Sequence, residues 1–119
     1  MIIDLRQDHD LDQLLERSKT DPVLIFKHST QCSISIQAYE EFTEFVEAIP
    51  GLICGAVLVI ENRKLSNAIA DRFGVRHESP QALLIKDGRV LWHASHWSIS
   101  SDSLSEAVAI HAQSTHQRN

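Results

Sequence analysis

The chain has 119 residues, of which 43% are hydrophobic and 23% are charged, and its formal net charge is -5. This composition is typical of a globular protein, and the length predicts a single domain over 1–119. The negative net charge argues against nucleic-acid binding, and so does the dispersal of the basic residues along the chain. No apolar run approaches the ~20 residues that cross a bilayer, so no membrane segment is expected.

The start of the chain and its cysteine content bear on the cellular compartment. Residues 1–6 lack the charged start, long apolar segment and small-residue cleavage site of a signal peptide. Two cysteines are too few for a disulfide scaffold. We therefore expect a cytoplasmic protein in which the cysteines stay as thiols.

Hydrophobic periodicity and breaker residues divide the chain into strands and helices. In order, the sequence predicts a short strand at 2–5, a helix from Asp8, a strand at 23–26, a long helix from Cys32 to Ile49, a strand at 52–60, a helix at 65–73, strands at 82–85 and 90–94, and a last helix from Ser101. The pair Asp87-Gly88 predicts a tight hairpin between the last two strands. Gly74 is expected just after the third helix, and Ser103 with Glu106 as a capping box of the last. Residues 114–119 are expected to fray.

The order β-α-β-α-β-α-β-β-α predicts an α/β fold. Alternating strands and helices give parallel strands with helical crossovers, and the hairpin adds antiparallel strands. A central mixed sheet flanked by helices is similar to the thioredoxin-like fold. Pro80, just before the hairpin, falls where thioredoxin-like proteins place a cis-proline beside the active cysteine. On that resemblance we expect a cis bond there, although only ~5–6% of X–Pro bonds in folded proteins are cis.

Cys32 is the strongest candidate for chemistry, because it follows a buried strand and precedes a helical pattern. Unpaired N–H groups at a helix start favour a thiolate, and such thiols titrate at roughly 3.5–7.5 instead of about 8.5. The alternative is a buried cysteine that only packs. Its polar neighbours Gln31, Ser33 and Ser35 favour the reactive thiol.

Ser35 stands where thioredoxins carry their second cysteine, which gives the motif Cys32-Ser33-Ile34-Ser35. Such a site cannot close its own disulfide, but it can attack a mixed disulfide and take the small thiol onto its sulfur. The Ser35 hydroxyl either donates a hydrogen bond to the thiolate or belongs to an ordinary helical residue. Cys54 is expected to be a buried strand residue instead of a resolving thiol, because a strand holds it away from disulfide geometry.

The backbone around Ser79 would offer an unpaired N–H and C=O to an extended substrate segment if Pro80 is cis. The alternative is a proline that merely starts an edge strand. Basic side chains that could favour the thiolate or meet an anionic thiol are Lys27, His28, His77, His93 and His96. These histidines lack the spacing of zinc ligands, so no metal site is expected. Trp92 and Trp97 are expected to pack in the core or at its rim.

Two blocks of the sequence closely resemble the YtxJ-like monothiol bacilliredoxins. The first block is His28-Ser29-Thr30-Gln31-Cys32-Ser33-Ile34-Ser35, followed by Ala38-Tyr39-Glu40 and Phe42. The second runs from His77-Glu78-Ser79-Pro80-Gln81 through Lys86-Asp87-Gly88 to Trp92-His93-Ala94-Ser95-His96-Trp97. The resemblance covers about 11–108. The family motif reads Thr-Cys-Pro-Ile-Ser, and this chain has Gln31 and Ser33 in place of the threonine and the proline.

The resemblance implies a monothiol oxidoreductase that removes a low-molecular-weight thiol, bacillithiol in the family, from S-thiolated client proteins. The expected site residues are Cys32 and Ser35 for catalysis, with Gln31, Ser33, Ser79 and Pro80 around the substrate. No tightly bound cofactor is expected, since the small thiol acts as a co-substrate. Two alternatives stay open. One is a non-catalytic stress or binding module with a passive or sensing Cys32, and the other is a dithiol protein that uses Cys32 and Cys54.

Overall fold

The computed structural model describes residues 2–112, so the expected fraying of 114–119 lies outside the described range. Strands and helices follow one another in the predicted order. The strands are β1 (Ile2–Asp4), β2 (Val23–His28), β3 (Ile53–Leu58), β4 (Gln81–Lys86) and β5 (Arg89–Ser95). The α-helices are α1 (Asp8–Arg17), α2 (Ser33–Ala48), α3 (Arg63–Phe73) and α4 (Ser101–Ala107). A short 3-10 turn, His96–Ser98, precedes α4, and a π-helical turn, Val108–Ala112, follows it.

The five strands form one mixed sheet in the order β1-β3-β2-β4-β5. The strands β1, β3 and β2 are parallel, whereas β4 runs antiparallel to both β2 and β5. The central strand β2 is buried along its whole length, which explains its continuous apolar run. The sheet therefore confirms the predicted α/β architecture.

Each face of the sheet carries its own hydrophobic core. On one face the sheet packs against α1 and α3, and on the other against α2 and α4. Gly55 in β3 lets the side chains of Leu5 and Leu14 pack directly on the strand backbone, because an added Cβ would lie 2.7 Å from a methyl of Leu5 and 2.9 Å from one of Leu14. The two layers of helices leave the C-terminal ends of the parallel strands open at one edge of the sheet.

Turns and caps test the local predictions. Gly74 ends α3 in the left-handed region with φ 65°, and Asp87 and Gly88 form the hairpin turn with φ 54° and 72°, as predicted. The predicted capping box of the last helix is wrong. Ser100 is the N-cap, because it is the last extended residue, and the Ser103 N–H donates to its Oγ at 3.0 Å. Ser103 therefore occupies the third helical position.

Within 2–112, none of the helices is both long and apolar enough to cross a bilayer.

Candidate active site

Cys32 lies at the start of α2, at the edge where the parallel strands end. It is the N-cap residue in extended conformation, and the first helical hydrogen bond runs from the Ile36 N–H to the Cys32 carbonyl at 3.0 Å. The N–H groups of the first three helical residues therefore have no intrahelical acceptor. The first turn of α2 carries no acidic residue. The half-buried Cys32 thus lies at the positive end of the helix dipole, with no carboxylate in the first turn of α2.

Ser35 and Ser29 fix the loop that carries Cys32. The Ser29 N–H donates to the Ser35 Oγ at 2.7 Å, and the Gln31 N–H donates to the Ser29 Oγ at 3.1 Å. Ser35 is fully buried, and its own hydroxyl proton is left for another acceptor. Sequence reasoning missed Ser29. The Ser29-x-Gln31 spacing, typical of a hydroxyl-backbone turn, was its one local signal.

The other predicted site residues divide between the rim and the interior. Gln31 and Ser33 are exposed, Ser79 is half-buried and Pro80 is buried. The Ser79–Pro80 peptide bond is cis, as expected. The Pro80 carbonyl accepts a hydrogen bond from the His96 N–H at 3.0 Å, whereas the Ser79 backbone makes none with another described residue. Ser79 therefore has a free N–H and C=O for an extended segment.

Cys54 lies in the core at the far end of the sheet from Cys32. It pairs with Leu24 in β2, four residues before His28, and this separation spans about 13 Å along the strand. Disulfide-bonded Cα atoms lie about 4.4–6.8 Å apart. Burial raises the pKa of the Cys54 thiol to about 12, which keeps it protonated. A direct disulfide between the two cysteines would therefore require the sheet to come apart.

Lys27 points away from Cys32. Its neighbours in β2 face α2, since the Phe26 ring stacks on Phe42 at 4.5 Å and the His28 ring on Tyr39 at 4.4 Å. Side chains alternate along a strand, so Lys27 faces the other side, where its Nζ donates to the Ser66 carbonyl of α3 at 3.3 Å. Lys27 is fully buried, and burial lowers the pKa of its ammonium group to about 8.

The predicted histidines do not form a cluster around the thiol. Burial lowers the pKa of His28, although Glu61 and Asp4 oppose this shift. Burial, followed by Lys27 and Arg63, also lowers the pKa of His77. Of the four predicted histidines, His93 and His96 are exposed. Among the described residues, no group of three His, Cys, Asp or Glu side chains could hold a metal ion.

Two clefts flank the start of α2. One, of about 530 Å³, includes the stacked rings of His28 and Tyr39 and the half-exposed Ile36. The other, of about 240 Å³, lies between α2 and the 3-10 turn and includes Trp97. The two tryptophans differ in burial. Trp92 is partly buried against the core beneath α2, whereas Trp97 is 69% exposed.

A half-buried cysteine at the start of the helix after the second strand, together with a cis-proline before the hairpin, defines a thioredoxin-fold protein of the thiol oxidoreductase type. A family model described as monothiol bacilliredoxin BrxC matches residues 3–104, and the chain belongs to this family.

Solved structures agree with the thioredoxin fold. The chain is 33% identical, with a TM-score of 0.82, to a thioredoxin-fold protein described as a candidate oxidoreductase, over 89% of this chain and 92% of that one. It is also similar to Fasciola hepatica thioredoxin, at 19% identity and a TM-score of 0.76 over 92% and 98% of the two chains. A mutant thioredoxin from Halobacterium salinarum gives 20% identity and a TM-score of 0.74 over 93% and 90%. The two thioredoxins support the fold alone.

Proposed function

We propose that the chain is a monothiol thiol–disulfide oxidoreductase that reduces mixed disulfides between client proteins and a low-molecular-weight thiol such as bacillithiol. The Cys32 thiolate attacks the sulfur of the small thiol, so that a new S–S bond forms as the old one breaks. The client leaves as a thiolate and takes up a proton from solvent. Cys32 then carries the small thiol, and attack by a second small thiol releases it as a symmetric disulfide.

The observation that carries this proposal is the position of Cys32 as the N-cap of α2. Cys32 directly precedes three residues whose N–H groups have no helical acceptor, in a first turn without acidic residues. Partial positive charge at this point stabilises a thiolate more than a thiol. A thiolate is the form that attacks a disulfide. Cys54, by contrast, is buried and protonated.

The remaining site residues have supporting roles in this proposal. Ser35 holds the loop through Ser29 and directs its free hydroxyl proton towards the thiolate once it forms. Gln31 and Ser33, exposed on either side of Cys32, contact the small thiol. The free backbone groups of Ser79, beside Pro80, pair with an extended segment of the client.

The reaction needs no tightly bound cofactor, because both electrons come from thiols. It requires a compartment in which small thiols are kept reduced, and we propose the cytoplasm. The Cys-x-x-Ser arrangement leaves Cys32 without a second thiol in its own motif, so release depends on a thiol from outside the chain.

The test is the release of bacillithiol from an S-bacillithiolated protein in the presence of free bacillithiol. The wild-type chain and Cys54→Ser should both release it, and Cys32→Ser should not. Under native conditions iodoacetamide should modify one thiol per chain, Cys32. Turnover by Cys32→Ser would disprove the mechanism.

The pH dependence of Cys32 alkylation separates this enzyme from a non-catalytic binding module of the same fold. In a Cys54→Ser background, a midpoint well below the ~8.5 of a free thiol supports a tuned nucleophile. A midpoint at or above that value would favour the binding module, with Cys32 as a passive or sensing thiol.

A further inference from the structure

Trp97 forms an exposed apolar wall of the groove beside α2. Its side chain is 69% exposed, the largest exposed fraction among the large hydrophobic side chains of the described region. The groove, of about 240 Å³, is lined by Ile34, Gln37, Ala38, Glu41, His96, Trp97, Ile99 and Ser100. Ile34 is the second residue of α2, two positions after Cys32. The groove therefore begins in the first turn of the helix that follows Cys32.

The segment that carries Trp97 is held at both ends. On one side, the His96 N–H donates to the Pro80 carbonyl at 3.0 Å, and His96 adopts the left-handed conformation with φ 54°. On the other side, the Ser101 N–H donates to the Glu41 Oε1 of α2 at 2.7 Å. The indole is thus presented by a fixed backbone. A pre-positioned tryptophan loses little conformational freedom when a partner covers it.

The groove changes character along its length. Ile34, Ala38 and Trp97 make one part apolar, whereas the Glu41 carboxylate introduces negative charge. The neighbouring Glu40 and Glu44 are exposed on the same helix. Apart from His96, the lining residues carry no basic side chain. A ligand that fits this groove has an apolar group next to a positive charge.

We infer that Trp97, Ile34 and Glu41 form a docking surface for the client protein, selecting segments with an apolar and a basic side chain near the modified cysteine. This inference rests on the proposed function, because Cys32 and Ser79 would hold the same segment. A small-molecule disulfide has no such side chains. The groove therefore discriminates between clients without taking part in the sulfur chemistry.

The experiment compares three disulfide substrates. Two are short peptides whose cysteine carries bacillithiol, one with Leu and Lys beside the cysteine and the other with Ser and Glu in those places. The third is hydroxyethyl disulfide, which has no peptide. The variants are Trp97→Ala, Glu41→Gln, which keeps an oxygen for the Ser101 N–H, and the control Ile110→Ala, which removes an apolar side chain that is 54% exposed.

We expect Trp97→Ala to raise KM for the Leu/Lys peptide about ten- to thirtyfold, a typical effect of removing an interface tryptophan, with kcat little changed. Glu41→Gln should reduce the preference for the Leu/Lys peptide about threefold, and added salt should weaken this preference in the wild-type chain. Reaction with hydroxyethyl disulfide should stay unchanged in every variant, and Ile110→Ala should behave as the wild type.

An unchanged KM in Trp97→Ala, or equal reaction of the two peptides with the wild type, would overturn the docking surface. So would light scattering that shows a wild-type dimer and a monomeric Trp97→Ala, because a second copy would then cover the groove. If wild-type Cys32 reacts with none of the disulfides, the proposed function fails. Calorimetry then tests the docking surface alone. It measures the binding of a Leu/Lys peptide with serine in place of its cysteine to Cys32→Ser and to the double variant Cys32→Ser/Trp97→Ala.

Discussion

Ser33 occupies the first helical position of α2, directly after Cys32, and its side chain is exposed. A carboxylate introduced there would lie among the N–H groups that favour the thiolate, and at a few ångströms its charge would oppose a second negative charge. We predict that Ser33→Asp shifts the midpoint of the pH dependence of Cys32 alkylation upwards, and that the rate below this midpoint falls about three- to tenfold. The same change should slightly stabilise the helix.

Ser33→Asn is the matched control, because it has the same shape without the charge. Stopped-flow alkylation across the pH range, in a Cys54→Ser background, measures both variants. Equal midpoints for the Asp and Asn variants would show that the helix start does not control the ionisation of Cys32.

The position of Cys32 could be predicted because its signals are local: an apolar strand, polar loop residues and a helical pattern follow one another. The hydrogen bond from the Ser29 N–H to the Ser35 Oγ could not be predicted, since it depends on how the loop folds back onto the buried Ser35. The exposure of Trp97 could not be predicted from the sequence either. A tryptophan in a sequence usually indicates packing, and only the path of the chain after β5 leaves this one on the surface.

Gly74 ends α3 with φ 65°, a backbone conformation that is unfavourable for a residue with a Cβ atom. Space is not the cause, because an added Cβ would have no atom within 4 Å. We predict that Gly74→Ala lowers the free energy of unfolding by about 1 kcal/mol. Gly51 is the matched control, because its surroundings are equally open and its φ lies outside the left-handed region. Gly51→Ala should be neutral or slightly stabilising.

Urea unfolding followed by circular dichroism measures both glycine variants. Equal losses of stability in the two would show that the conformation of Gly74 does not matter and that the helix end is tolerant of a side chain.

The order and type of the strands and helices could be predicted from hydrophobic periodicity and from breaker residues. The residues at which they begin and end could not. The sequence predicts that β2 ends at Phe26, because Lys27 and His28 are polar. In the structure the strand continues through both residues, since it is the centre of the sheet and pairs with β3 on one side and β4 on the other. The wrong N-cap of α4 has a similar origin. Two serines at suitable spacing compete, and the preceding 3-10 turn decides between them.

The burial of Lys27 is a property of the whole molecule. The residue sits opposite Gln81 of β4, and its Nζ contacts the carbonyl of Ser66, while no described carboxylate forms an ion pair with it. Buried oxygen and nitrogen atoms without a described partner lie on nearby residues: Ser66 Oγ, His77 Nδ1 and Gln81 Oε1. The ammonium group is therefore surrounded by polar groups that water molecules can bridge. It is not neutralised by them.

Lys27 consequently lowers stability where it is charged. Its pKa falls from the ordinary 10.5 to about 8 on folding. This shift corresponds to a free-energy cost of about 3 kcal/mol for the charged form in the folded chain. Because the folded pKa is depressed, the unfolded chain binds more protons between pH 8 and 10.5. The contribution of Lys27 to stability therefore rises with pH across this window. It is most unfavourable below pH 8, where both states are charged, and it vanishes above 10.5.

We predict that Lys27→Met, a substitution of similar volume, raises the free energy of unfolding at pH 7 by about 1–3 kcal/mol. Its advantage over the wild type should shrink as pH rises from 8 to 10.5.

The ionisation of Cys54 has the opposite effect on stability, since its raised pKa lowers the stability of the folded chain above pH 9. Both proteins contain Cys54, so its effect cancels in the difference between them. Lys64→Met, at an exposed position of α3, controls for the change in net charge and should show no such advantage. Guanidinium unfolding of the three proteins at several pH values measures these differences in the free energy of unfolding. If the difference between Lys27→Met and the wild type does not change with pH, Lys27 is not desolvated in the folded chain.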